Sequence, residues 1–184
     1  YSDEGRDMAV LFGDGAGAVI VEPNPEGDER GILSTHLFSD GRFASDLWME
    51  KPSSRDKPTF QTDYFTAGKF FPHMDGRNVF RNAIDKMPEA LKTALAHNGL
   101  TVQDIAWLIP HQANDRISQM VAHNLKIPVD KVIRNIDRYG NTTSASIPIA
   151  LDESVKQGKI KAGDLVAIAA FGSGYTWGSA LIRW

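Results

Sequence analysis

Ile105-Ala106-Trp107-Leu108-Ile109-Pro110-His111-Gln112-Ala113-Asn114 opens as a short apolar run and ends in a histidine. From Gln112 to Leu125 the apolar residues Ala113, Ile117, Met120, Val121 and Leu125 recur at helical spacing. A buried strand over Ile105 to Ile109 that feeds a helix is the repeating unit of an α/β layered fold. His111 stands at the junction, where a helix dipole disfavours an imidazolium and keeps the ring neutral as a hydrogen-bond donor. Alone, such a histidine is more often a cap satisfied by a backbone carbonyl.

Downstream, Lys131 to Asn135 reads as another strand and Tyr139-Gly140-Asn141-Thr142-Thr143 as a turn. Asparagine is common after glycine for conformational reasons. Here it leads through the small polar run Ser144-Ala145-Ser146 into a helix over Pro148 to Gln157, with proline acceptable in the first turn. An asparagine amide donates N–H without a charge that repels an enolate. Leu165 to Phe171 and Ala180 to Trp184 read as two strands around Gly172-Ser173-Gly174, where backbone amides can approach a ligand closely. Donors fixed at the ends of successive elements suit a reaction in which negative charge develops on oxygen.

Upstream, Val79, Phe80, Ala83, Ile84, Met87, Leu91, Ala94 and Leu95 follow the period of an amphipathic helix from Arg77 to Asn98-Gly99. Pro88 inside it predicts a kink or two helical pieces. Residues 40 to 72 lack a period and read as a functional excursion. Gly31 to Leu37 can form a strand. Met8 to Phe12 and Ala16 to Val21, flanking Gly13-Asp14-Gly15, read as a buried hairpin.

The 184 residues can bury a sizeable core, and the 42% hydrophobic and 23% charged fractions are ordinary for a globular protein. No apolar run is long enough to span a bilayer, so no membrane segment is expected. A net charge of -3 argues against a nucleic-acid footprint. Charge is uneven: residues 1 to 30 carry eight acidic side chains and two arginines, whereas 111 to 139 carry Arg116, Lys126, Lys131, Arg134 and Arg138 against three acids. The absence of cysteine excludes disulfides and a thiolate nucleophile in this chain and fits a reducing, cytoplasmic setting. The chain begins at Tyr1 in charged residues that read as no targeting signal. His36, His73, His97 and His123 lack metal-ligand spacing, so no metal is expected.

Taken together, Phe12-Gly13-Asp14-Gly15-Ala16-Gly17-Ala18, Met74 to Phe80, Pro110-His111-Gln112-Ala113-Asn114, Gly140-Asn141-Thr142-Thr143-Ser144-Ala145-Ser146 and Phe171 to Gly178 resemble the 3-oxoacyl-[acyl-carrier-protein] synthase III family of the thiolase-like superfamily. The segments occur in family order over nearly the whole chain. The resemblance implies a thiolase-like α/β fold, a five-stranded mixed sheet with helices on both faces. Residues 1–30 would be the last strands of the N-terminal lobe and 31–184 the C-terminal lobe.

It also implies a condensing acyltransferase that initiates type II fatty-acid synthesis by joining acyl-CoA, acetyl-CoA in the simplest case, to malonyl-[acyl-carrier-protein] with loss of CO₂. By the same resemblance His111 and Asn141 are the catalytic pair, and the backbone N–H of Ser173, where many relatives have glycine, is an oxyanion donor. Gly76 and Asn114 line the CoA and pantetheine tunnel, and Arg116 receives the carrier protein. The implied partners are acyl carrier protein, acyl-CoA, the N-terminal portion bearing the nucleophilic cysteine, and a second copy in a homodimer. No resident cofactor is implied beyond these substrates. Other readings are a related condensing enzyme of secondary metabolism, making quinolones, polyketide starters or long-chain ketones, and a non-catalytic carrier-protein-binding module.

Overall fold

A computed structural model describes residues 6–184; the first five residues of the segment read as first-lobe strands lie outside them. The centre is a four-stranded mixed sheet built from β1 (Gly31–Ser39), β4 (Trp107–Pro110), β5 (Leu165–Gly172) and β6 (Thr176–Arg183), in the order β1-β6-β5-β4. β5 and β6 form an antiparallel hairpin, β1 adds antiparallel to β6, and β4 adds parallel to β5. The smaller pair β2 (Leu47–Met49) and β3 (Pro72–Met74) is antiparallel.

Side chains alternate across β5 as strand geometry requires. Leu165, Ala167, Ala169 and Phe171 pack with α3 (Gly76–His97) and α4 (Asp115–Leu125) in the larger core. Val166 and Ile168 turn to the opposite face, with Ala150 and Leu151 of α6 (Ser146–Lys156). The α3 stripe of Ala83, Met87, Ala90, Leu91, Ala94 and Leu95 is buried along its length. Each of its larger side chains stabilises the fold by roughly 1.5–3 kcal/mol relative to exposure.

Pro88 does not divide α3, which runs unbroken from Gly76 to His97. A proline deprives the carbonyl four residues earlier of its partner. That carbonyl belongs to Ile84, and Asn124 of α4 donates its Nδ2 to it at 2.9 Å. The neighbouring helix thus satisfies the group that proline leaves unpaired.

Three local expectations are corrected. Met8 to Val21 is not a hairpin: α1 (Arg6–Ala9) is a helical turn, Phe12 forms an isolated parallel bridge with Asn141, and residues 13 to 25 form no strand. Strands need backbone partners, and the backbone of Leu11 to Gly13 is taken up by Asn141. The fifth strand over Lys131 to Asn135 is reduced to one bridge, Val132 to Leu108. There the Gln112 side chain replaces a ladder neighbour, donating to Ile133 O and accepting from Asn135 N.

The α4 helix starts at Asp115 rather than Gln112, because Asn114 caps it by accepting from Arg116 N at 2.9 Å. Residues 40 to 72 do acquire structure. A short 3₁₀ segment (Gly41–Asp46), β2, α2 (Asp63–Thr66) and β3 fold together, and Leu47, Trp48, Met49 and Pro72 reach the cleft described below.

Candidate active site

β4 ends at Pro110, and the parallel ladder carries one step further as His111 N donates to Ala169 O at 2.8 Å. The imidazole is thereby delivered at the carboxyl end of the parallel strands, where α/β sheets form crevices. Its Nδ1 lies 2.7 Å from Ser146 Oγ at the start of α6. Burial pushes the His111 pKa below the usual histidine range. The ring is therefore neutral at pH 7, but by desolvation rather than by a helix dipole, since α4 begins beyond Asn114.

Asn141 follows α5 (Ile136–Tyr139) and Gly140, whose φ of 67° and ψ of -162° suit only glycine. Its backbone is held from the far end of the chain: Asn141 N donates to Leu11 O at 2.9 Å and Gly13 N to Asn141 O at 3.0 Å. A Cβ on Gly13 would overlap the Tyr139 carbonyl oxygen, so glycine is required for that approach. The side chain is oriented as well. Oδ1 accepts from Thr143 N at 2.8 Å, which leaves Nδ2 as the donor without a partner among the described residues.

α5 is fixed from α6 by Glu153. Its carboxylate accepts from Arg138 at 2.8 Å through both terminal nitrogens, from Tyr139 Oη at 2.6 Å and from Asn135 Nδ2 at 3.1 Å. The Arg138 guanidinium is the main reason that Glu153 is held down to about 2.

His111 and Asn141 line one open cleft of about 1230 Å³, which is also bordered by Ile168 and Ala170 of β5 and by Val79, Phe80 and Ala83 of α3. Gly76 at the start of α3, Asn114 and Ser173 line it too. Ser173 is exposed in the β5–β6 turn, and its N–H makes no hydrogen bond to the described residues. The Asn114 Oδ1 caps α4, which fixes the side chain with its amide nitrogen as the donor for a ligand. Arg116 is exposed and lies outside the cleft lining.

The basic stretch around it is partly neutralised. Arg134 pairs with Asp115 and Arg138 with Glu153. Among the described residues, no cluster of three or more His, Asp or Glu side chains is placed to hold a metal. Among the described residues, no helix is long and apolar enough to cross a membrane.

Three residues that shape the site carried no assignment from sequence: Ser146, Gln112 and Glu153. Gln112 is fully buried with its amide satisfied, donating to Pro110 O and Ile133 O and accepting from Asn135 N. It ties the histidine segment to the one leading to Asn141. Ser146 and Gln112 fall inside quoted motifs, but their partners lie in distant segments that no local pattern reveals.

Residues 95–184 match the family model for the 3-oxoacyl-[acyl-carrier-protein (ACP)] synthase III C terminal, and residues 1–41 match that for 3-oxoacyl-[acyl-carrier-protein (ACP)] synthase III. The beta-ketoacyl-[acyl-carrier-protein] synthase III of Acidiphilium cryptum is 46% identical over 181 residues, 98% of this chain and 53% of the relative. That of Thioalkalivibrio sulfidiphilus is 46% identical over 178 residues, 97% and 53%. The crystal structure of 3-oxoacyl-(acyl carrier protein) synthase III from Pseudomonas aeruginosa PAO1 superposes with a TM-score of 0.84 at 36% identity, covering 97% of this chain and 52% of that one. The chain spans about half the length of the curated relatives it matches. With its thiolase-like α/β fold and both family models matched in order, the chain belongs to the 3-oxoacyl-[acyl-carrier-protein] synthase III family.

Proposed function

We propose that this chain supplies the malonyl-activating portion of an acyltransferase that initiates type II fatty-acid synthesis. The substrates are an acyl-CoA, with acetyl-CoA the simplest, and malonyl-[acyl-carrier-protein]; the product is a 3-oxoacyl-[acyl-carrier-protein]. The observation that carries the reading is that His111 and Asn141 face one cleft, each with one ring or amide nitrogen free to donate. The nucleophilic cysteine comes from an N-terminal portion of the same enzyme, since this chain has none. Residues 1–30 belong with that portion and 31–184 form the second lobe. The complete enzyme works as a cytoplasmic homodimer.

The chemistry follows from where charge develops. When the bond between the malonyl α-carbon and its carboxylate breaks, CO₂ leaves and the electron pair moves into the thioester, placing negative charge on its oxygen. His111 and Asn141 donate N–H to that oxygen. Donors fixed before reaction stabilise the enolate without reorganising. The enolate carbon then attacks the cysteine-bound acyl thioester, and the Ser173 N–H receives the tetrahedral oxyanion. Collapse expels the cysteine thiolate and leaves the new carbon–carbon bond. The substrates' thioesters and the chain's own donors suffice, with no resident cofactor or metal. Gly76 and Asn114 border the path of the pantetheine arm, and exposed Arg116 receives the acidic carrier protein.

The test uses the intact protein that contains this chain. His111→Ala is expected to lower malonyl decarboxylation by on the order of 10²-fold or more while the cysteine is still acylated from acyl-CoA. Equal loss of both half-reactions, scored by CO₂ release and by mass of the acyl-enzyme, removes the assignment.

A further inference from the structure

Ser146 opens α6, is buried, and stands between the two segments that carry the cleft donors. Its Oγ lies 2.7 Å from His111 Nδ1 and accepts the backbone N–H of Gln112 at 3.2 Å. We propose that Ser146 is a positioning residue that holds His111 in the tautomer with its proton on Nε2, the nitrogen turned to the cleft. The proposal rests on the reading of His111 as an oxyanion donor and deepens it.

A serine hydroxyl has one proton and two lone pairs. One lone pair takes the Gln112 N–H. Among the described residues, His111 Nδ1 is the acceptor left within reach of the proton. In the opposite arrangement Nδ1–H donates into Ser146, both lone pairs are filled, and a buried O–H points at nothing. Buried polar groups are rarely left so. Burial of the ring disfavours a second proton, so the single proton of the neutral imidazole goes to Nε2. The same hydroxyl fixes the ring's rotation and spans from the strand end of His111 to the helix that follows Asn141, so it couples the placement of both donors.

The experiment uses the intact protein labelled with ¹⁵N-histidine, with His111→Ala identifying the His111 signals. A long-range ¹H–¹⁵N spectrum is expected to show a protonated Nε2 and an unprotonated Nδ1. In Ser146→Ala these signals move toward a mixture of tautomers, and kcat for malonyl-thioester decarboxylation falls on the order of tenfold or more with KM within about twofold. Ser146→Thr, which keeps the hydroxyl, restores both.

A wild-type spectrum with the proton on Nδ1 overturns the proposal, and needs no variant to fold. An unchanged tautomer in Ser146→Ala overturns it as well. An Nε2–H spectrum in a protein that does not decarboxylate malonyl thioesters supports the Ser146 assignment and sinks the functional reading, so the two fail separately.

Discussion

The two ends of the Asn141 amide have separate roles in the proposed reaction. Its Oδ1 accepts the Thr143 N–H, and Thr143 sits at φ 52°, a left-handed conformation that costs a β-branched residue. Its Nδ2 is the donor assigned to the enolate. Alanine removes both functions, whereas aspartate keeps the acceptor and puts a negative charge where the donor was. Asn141→Asp is therefore expected to keep a melting temperature within about 2 °C of the parent. Asn141→Ala is expected to lose about 1 kcal/mol as Thr143 relaxes. Both variants lose decarboxylation. Thermal melts paired with CO₂ release separate the roles; an active aspartate variant would refute the donor assignment.

At the level of elements, the short helix α5 is too small to hold its own place, and Glu153 on α6 supplies the anchor. Because folding lowers the Glu153 pKa from 4.5 to about 2, its contribution is complete above pH 4.5 and is lost as pH falls toward 2. Glu153→Gln is expected to cost about 1–2 kcal/mol at neutral pH, with the difference from the parent shrinking through that acid window. Urea midpoints measured from pH 7 to pH 3 check it; a difference that does not change with pH counts against the anchor. Activity should fall with stability, since α5 leads directly into Gly140 and Asn141.

The elements themselves were mostly legible. Helical spacing located α3, α4 and α6, and apolar runs located β4, β5 and β6, because each buries a continuous stripe against the sheet. What local pattern missed depends on partners remote in sequence. Asn124 keeps α3 whole at Pro88, Gln112 displaces a fifth strand, and Asn141 occupies the backbone of Leu11 to Gly13. His111 and Asn141 could be picked out from their motifs. The cause of the neutral imidazole could not, because desolvation depends on how the ring is buried and not on its place in the chain.

Across the whole molecule, one face of the sheet is covered by α3 and the other only partly by α6. Leu37 on that second face is 83% exposed and lines the cleft together with Trp48 and Met49, which are 44% and 49% exposed. A contiguous apolar area of this kind marks a surface that is normally covered. The chain expressed alone is therefore expected to bind 8-anilinonaphthalene-1-sulfonate strongly and to self-associate. Co-expression with the cysteine-bearing portion should abolish both, as read by dye fluorescence and size-exclusion chromatography. Weak dye binding by a folded, monomeric chain would contradict the two-lobe reading.

The bridge between Leu11–Gly13 and Asn141 has a further consequence. It joins distant stretches of chain through hydrogen bonds, while the largely exposed run from Glu22 to Arg30 lies between them in sequence and outside any strand. A protease nick in that run would leave the Asn141 backbone held by the same two hydrogen bonds, so a cut enzyme is expected to remain assembled until denaturant releases its pieces.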